Sequence, residues 1–171
     1  MIWVDFDGVI ADLLPAWLAR YNMRYGDFVQ ESDILSWDMA TYVKPEAKHA
    51  IYGILDEPDL YDDVKPIDGA IEGLMALPKP WGIATHCTSE AMVAGKVAWL
   101  KRHWDGAGGW PEYFVPINDK SHLRGDFLVD DGIHNLAVFQ GTGILFNAPH
   151  NHGMVPCQRV MNWSEVIAAV T

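Results

Sequence analysis

Apolar residues fall along the chain in short runs that stop at polar turns. Ile2-Trp3-Val4 ends at Asp5-Phe6-Asp7-Gly8. Similar runs appear at Gly82-Ile83-Ala84, Phe114-Val115-Pro116-Ile117, Phe127-Leu128-Val129 and Gly143-Ile144-Leu145-Phe146. Such runs predict buried parallel strands. Val93, Val97, Leu100 and Trp104 recur at helical spacing, with Thr88 or Ser89 as the N-cap and Gly106 as the stop. Asp68 is expected to cap a helix over residues 70–77, which Pro78 and Pro80 end. Asn162 or Ser164 is expected to cap a closing helix through Val166-Ile167-Ala168. Strands alternating with helices predict an α/β fold built on a Rossmann-like parallel sheet.

Residues 13–66 break this rhythm. Pro15 suits a first helical turn, and Leu14, Leu18, Tyr21 and Tyr25 form an apolar stripe that stops at Gly26. A second helical stretch over residues 45–55 ends at Asp56-Glu57-Pro58-Asp59. No strand-like run occurs between them. The expected division is therefore an α/β core over residues 1–12 and 67–171, with a small helical insertion over 13–66 after the first strand.

Composition narrows the function. The 171 residues carry 23 acidic and 12 basic side chains, a formal net charge of −11. This argues against polymeric nucleic acid and against an anionic membrane surface. No apolar run approaches the roughly 18 residues of a membrane-crossing helix. Cys87 and Cys157 are too few for a disulfide framework and match no CxxC pattern, so a reducing, cytoplasmic setting is expected. Trp104 and Trp110, flanking Gly106-Ala107-Gly108-Gly109, read as exposed and suit either an interface or a loop. The oligomeric state stays open, a homodimer being one option.

The candidate chemistry lies where the runs end. Asp5 and Asp7 close the first, Thr85 follows Ala84, and Asp130-Asp131 follow Val129. In a parallel sheet the carboxyl ends of the strands share one edge, where ligands bind. Four carboxylates meeting there repel one another unless a hard cation with oxygen ligands joins them, and Mg²⁺ fits. Lys120, ten residues before Asp130, adds a positive charge. Asp5 and Asp7 start on the same side of a strand, so one carboxylate can attack phosphorus while its neighbour handles a proton. His150-Asn151-His152 with Cys157 contains zinc-type ligands, but at a spacing that matches no familiar closed site.

These residues carry a family resemblance. Asp5-Phe6-Asp7-Gly8-Val9-Ile10-Ala11-Asp12 resembles motif I of the haloacid dehalogenase (HAD) superfamily. Thr85 resembles motif II, Lys120 motif III, and Gly125-Asp126-Phe127-Leu128-Val129-Asp130-Asp131 motif IV. Within the superfamily the chain is most similar to the 5′(3′)-deoxyribonucleotidases, through Val64-Lys65-Pro66-Ile67-Asp68-Gly69-Ala70, Asp119-Lys120 and Leu145-Phe146-Asn147-Ala148-Pro149. The resemblance implies a Mg²⁺-dependent phosphomonoesterase in which Asp5 forms a phosphoaspartate. Asp7 would protonate the leaving alkoxide and then activate water, while Thr85 and Lys120 would hold phosphoryl oxygens. The metal would take the Asp5 carboxylate, the Asp7 backbone carbonyl and a motif IV acid, with Asp131 as ligand and Asp130 as support or alternative.

Asp7 also separates reactions. The resemblance implies that dehalogenases lack an acid at this second position, since a halide leaves without a proton and an alkoxide does not. A response-regulator receiver places its adjacent acidic pair before the phosphoacceptor, the reverse of the order here. The insertion takes the place of a cap that covers the site and shapes the leaving-group pocket. Its aromatics are Trp17, Tyr21, Tyr25, Trp37, Tyr42, Tyr52 and Tyr61, of which Trp37 lies in the least regular stretch and is the candidate for stacking a base. Leu13 stands where better-known members carry a pocket phenylalanine. His86, directly after Thr85, belongs near the same pocket, and Cys87 reads as a rim thiol. A nucleoside monophosphate is the expected substrate. Another small phosphate monoester is the alternative, and a non-catalytic phosphate-binding module a further one.

Overall fold

The structure, a computed structural model, describes residues 1–104, 110–153 and 157–171. Its strands are β1 (Ile2–Val4), β2 (Ala11–Asp12), β3 (Lys65–Pro66), β4 (Trp81–Thr85), β5 (Tyr113–Pro116), β6 (Phe127–Asp130), β7 (Thr142–Phe146) and β8 (Gln158–Val160). Six form one parallel sheet in the order β5-β4-β1-β6-β7-β8. Alternation along β1 sorts its side chains to two faces. Ile2 and Val4 join Phe6, Ile83, Trp99, Val129 and Trp163 in the larger core. Trp3 points the other way, against Ala84, Leu123, Leu128 and Phe139. Pro116 ends β5 at the sheet's edge, where its missing N–H costs no ladder bond.

The helices are α1 (Leu13–Tyr25), α2 (Leu60–Asp63), α3 (Ala70–Ala76), α4 (Glu90–His103), α5 (Ile133–Val138) and α6 (Trp163–Val170). Gly26 ends α1 in the left-handed region at φ 59°. Ser89 caps α4 by accepting from the Met92 N–H, and Asn162 caps α6 by accepting from the Glu165 N–H. Three expectations need correction. Gly69, at φ 76°, precedes α3, and Asp68 makes no cap bond there. Helix α4 buries Met92, Gly95, Lys96, Trp99 and Leu100 rather than the Val93 and Val97 stripe. Trp99 sets that rotation: its indole N–H donates to the Val64 carbonyl at 2.8 Å and its ring meets Phe6 edge-on. Trp104 is buried beside Trp81 rather than exposed, whereas Trp110 is exposed. Gly106-Ala107-Gly108-Gly109, including the expected helix stop, lies outside the described residues.

Residues 13–64 hold α1, 3₁₀ turns at Glu31–Asp33, Met39–Thr41 and Lys48–Asp56, and then α2. The stretch expected to be helical near 45–55 is thus 3₁₀ over most of its length. Strands β2 and β3 are too short to leave a sequence pattern. They pair antiparallel, Ala11 with Pro66 and Asp12 with Lys65, so the entry and exit of this segment lie side by side. Arg20 of α1 ties it together internally through Glu57, Asp59 and Asp63.

Helices α3 and α6 meet where Gly73 faces Trp163. A Cβ on Gly73 would lie 2.2 Å from the indole ring, which is anchored by its N–H to the Val9 carbonyl at 2.9 Å. Alanine would add about 1 kcal/mol of helix propensity, but overpacking costs about 1–3 kcal/mol. The expected outcome for Gly73→Ala is net destabilisation, read as a lower urea midpoint with an unchanged m-value.

Candidate active site

Four strand ends build the site. Asp5 follows β1 in the middle of the sheet, its N–H bonded to the Val129 carbonyl at 2.9 Å. Its Oδ1 accepts from the Phe6 N–H at 2.8 Å, which fixes the carboxylate at the strand end. The chain then turns at Gly8, φ 74°, whose N–H reaches the Ala11 carbonyl. A side chain here is impossible without rearrangement, since a Cβ would lie 2.0 Å from Asp131 Oδ2. Gly8 therefore brings motif I and motif IV into contact.

Asp5, Asp130 and Asp131 are buried and offer oxygens that all lie within 4.8 Å of one another. Lys120, buried in the 3₁₀ turn Lys120–His122, sits 3.0 Å from Asp5 Oδ1 and 2.5 Å from Asp130 Oδ2. Burial alone would lower the Lys120 pKa, but the Asp5 and Asp130 charges outweigh it and hold the ammonium above its usual range. Burial and the Asp5 charge push Asp130 up to about 7. Both Asp130 oxygens are engaged, Oδ2 by Lys120 and Oδ1 by the Gly132 N–H and Asn135 Nδ2. Asp131 differs: its Oδ1 is buried and has no hydrogen-bond partner among the described residues.

Asp7 stands apart from this cluster. Lys96 of α4, fully buried, places Nζ 2.6 Å from Asp7 Oδ2. The same ammonium donates to Thr85 Oγ1 at 2.8 Å and to the His86 carbonyl at 2.7 Å. Thr85 accepts this bond, which leaves its own hydroxyl hydrogen free to donate. The Tyr61 hydroxyl reaches both Asp7 oxygens at 3.1 and 3.2 Å. Burial raises the Asp7 pKa, and Lys96 opposes that rise. Burial and the Asp7 charge keep the Tyr61 phenol protonated.

Neither Lys96 nor the Tyr61 contact was reached from the sequence. Lys96 did leave a signal, because it shares a helical face with Met92 and Trp99, where a solvated lysine has no place. Tyr61 left none that separates it from the other aromatics of its segment.

A cleft of about 940 Å³ open to solvent gathers Asp5, Asp7, Lys120, Leu13, Trp37 and His86. Burial and Lys96 lower the His86 pKa, favouring a neutral ring. Leu13 and Trp37 also line an adjoining recess of about 640 Å³ that reaches Asp131 and His150. Trp37 stands between two histidines, 4.1 Å from the His150 ring and 6.0 Å from the His134 ring. Cys157 and His152 join no ligand cluster among the described residues, and His150 turns toward Asp131 instead.

The donor set fits a hard divalent cation. Asp5, Asp7, Asp130 and Asp131 face two buried ammonium groups, so with all four acids ionised two negative charges would be left over. The three clustered donors, on Asp5, Asp130 and Asp131, are carboxylate oxygens, and Asp131 Oδ1 is buried without a hydrogen-bond partner among the described residues.

Lys96 is the counter-ion whose removal isolates Asp7. For Lys96→Met the expected loss of stability at pH 8 is about 3–5 kcal/mol, the cost of an uncompensated buried charge. The loss is expected to shrink toward pH 5, because the raised Asp7 pKa means that protonation increasingly takes the place of the missing counter-ion as pH falls. Urea unfolding at the two pH values checks both the size and the sign.

Known proteins resemble this chain in sequence and in fold. The family model described as 5′ nucleotidase, deoxy (pyrimidine), cytosolic type C protein (NT5C) matches residues 1–171. A 5′(3′)-deoxyribonucleotidase of Bacillus subtilis (strain 168) is 33% identical, over 97% of this chain and 95% of its own length. A 5′(3′)-deoxyribonucleotidase of Clostridium acetobutylicum is also 33% identical, over 96% and 91%. Among solved structures, a haloacid dehalogenase-like family hydrolase from Streptococcus pneumoniae superposes with a TM-score of 0.68 at 11% identity, covering 99% of this chain and 97% of that one. A putative phosphoglycolate phosphatase from Lactobacillus plantarum superposes at 0.63 with 12% identity, covering 98% and 97%. The last two establish the HAD-like fold. Matched over its whole length, with two relatives at one-third identity, the chain belongs to the 5′ nucleotidase, deoxy (pyrimidine), cytosolic type C family of phosphoric monoester hydrolases.

Proposed function

We propose that the protein is a Mg²⁺-dependent phosphatase of nucleoside monophosphates that works through a phosphoaspartate on Asp5. The observation that carries this reading is the separation of the two motif I acids. Asp5 lies with Asp130, Asp131 and Lys120, whereas Asp7 is held by Lys96 and Tyr61. The family and the names of its relatives support the nucleotide as substrate.

In this reading Asp5, the Asp7 backbone carbonyl and Asp131 hold the cation, with Asp130 supporting through Lys120. When bound, Mg²⁺ neutralises charge on the transferring phosphoryl group. Asp5 attacks phosphorus as its bond to the ester oxygen breaks, and Asp7 gives its proton to the departing alkoxide. Burial, which raises the Asp7 pKa, suits it to carry that proton. Asp7 then takes a proton from water as the water oxygen bonds phosphorus and the acyl phosphate opens. Inorganic phosphate leaves and Asp5 is regenerated. Thr85 and Lys120 steady the phosphoryl oxygens through donated hydrogen bonds.

Residues 13–66 act as a cap over a core of residues 1–12 and 67–171, with Leu13, Trp37 and His86 facing the leaving group. Leu13 gives the cleft an aliphatic wall on the base-binding side, which favours a second reading in which a smaller alcohol leaves.

Hydrolysis of 5′- and 3′-nucleoside monophosphates, ribo and deoxy, alongside sugar phosphates, decides between these. Nucleotide turnover with Mg²⁺, lost in EDTA and restored by Mg²⁺, is expected. Strong turnover of sugar phosphates with little on nucleotides would favour the second reading. Asp5→Asn is expected to lower turnover by at least about 1,000-fold. Wild-type turnover in that variant would remove Asp5 as the nucleophile.

A further inference from the structure

Trp37, His150 and Asp131 form a chain of contacts that neither proton transfer nor phosphate binding uses. Among the described residues one oxygen of Asp131 has no hydrogen-bond partner, while the other is confined. Oδ2 packs against Gly8 and lies 3.2 Å from His150 Nε2, within hydrogen-bond distance but off-axis, on a side chain only 9% exposed. His150 belongs to the 3₁₀ turn Pro149–Asn151 that follows β7. Asn151 fastens this turn to the backbone it serves. Its Nδ2 donates to the Asp131 carbonyl at 2.9 Å and the Phe146 carbonyl at 2.8 Å. Its Oδ1 accepts from the Ala148 N–H and from Arg159. The imidazole is therefore placed relative to Asp131 from the core side. Trp37, from the 13–66 segment, packs on the same ring at 4.1 Å between centroids.

We propose that His150 is a positioning residue for Asp131, and that Trp37 presses His150 into place so that packing of the 13–66 segment sets affinity for the divalent cation. The proposal rests on the reading of Asp131 as a metal ligand. A carboxylate must give up rotation about its terminal bond to bind a cation. A neighbour that holds one oxygen removes that freedom in advance and leaves the other oxygen aimed at the ion. In this proposal Trp37 acts on the cation through His150, the ring on which it packs most closely. Coupling of this kind is reciprocal: whatever draws Trp37 onto His150 tightens cation binding, and the bound cation in turn favours that packing.

Calorimetric titration of Mg²⁺ into the full-length protein without substrate tests this on wild type, His150→Ala, His150→Gln, Trp37→Ala and the His150→Ala/Trp37→Ala double variant. Thermal unfolding in EDTA reports folding separately. His150→Ala is expected to weaken Mg²⁺ by about 10-fold or more, and His150→Gln, which keeps a polar side chain packed against Oδ2, to recover most of that. Trp37→Ala is expected to weaken it by about threefold, with the double variant no weaker than His150→Ala alone. Wild-type affinity in His150→Ala overturns the proposal, as does wild-type affinity in Trp37→Ala or a fully multiplicative loss in the double variant. If His150→Ala does not fold, His150→Gln binding worse than Trp37→Ala counts against the proposal, and near wild-type binding supports it. Absence of Mg²⁺ binding by the wild type overturns the metal reading and this inference with it.

Discussion

Gathering four carboxylates, three of them buried, at one sheet edge is the constraint on which the site depends. Each would be costly alone, because desolvation penalises the ionised form. Two lysines from different elements divide the work. Lys120 serves Asp5 and Asp130, and Lys96 serves Asp7 while binding Thr85 and the His86 carbonyl. This division gives the two motif I acids different environments although they are two residues apart. Asp5 faces an ammonium and two acids, whereas Asp7 faces an ammonium and a phenol. Chemically similar residues acquire different roles because the surrounding elements differ.

The same constraint explains how a chain of net charge −11 can take an anionic substrate. The excess is not spread evenly. Part of it is concentrated where buried ammonium groups oppose it and where the proposed cation would add to them, so the local charge departs from the global one. Elsewhere acids serve ordinary ends, as Glu57, Asp59 and Asp63 do around Arg20.

Strand-end acids were legible from the sequence because a parallel sheet sends its carboxyl ends to one edge and the apolar runs mark those ends. Asp5, Asp7, Thr85 and Asp130-Asp131 needed only that rule. Lys120 needed the family's pattern as well. Lys96 and Tyr61 were not legible for a different reason: their roles arise from helix rotation and from packing between segments far apart in sequence. The stripe read on Val93 and Val97 put the buried face of α4 one position off, which turned Lys96 toward solvent. Trp99 decides that rotation through its bond to Val64, a contact across the insertion boundary. Strands β2 and β3 escaped because two residues cannot display a period, and β8 because Gln158-Arg159-Val160 carries a single buried apolar residue. Helix α5, after Asp131, left no apolar stripe to read, since its six residues bury none of their side chains fully.

The pairing of β2 with β3 has an entropic consequence. Two chain crossings join residues 13–64 to the sheet, and a pair of free linkers would each lose conformational freedom whenever the segment settled over the cleft. Here both crossings are already ordered by bonding to each other, and the Ile67 N–H adds a bond to the Ile10 carbonyl at 2.9 Å. The loop that carries Asp5 and Asp7 runs directly into β2. The segment therefore joins the sheet through one ordered joint instead of two loose tethers, and the ordering cost of that attachment is met when the chain folds.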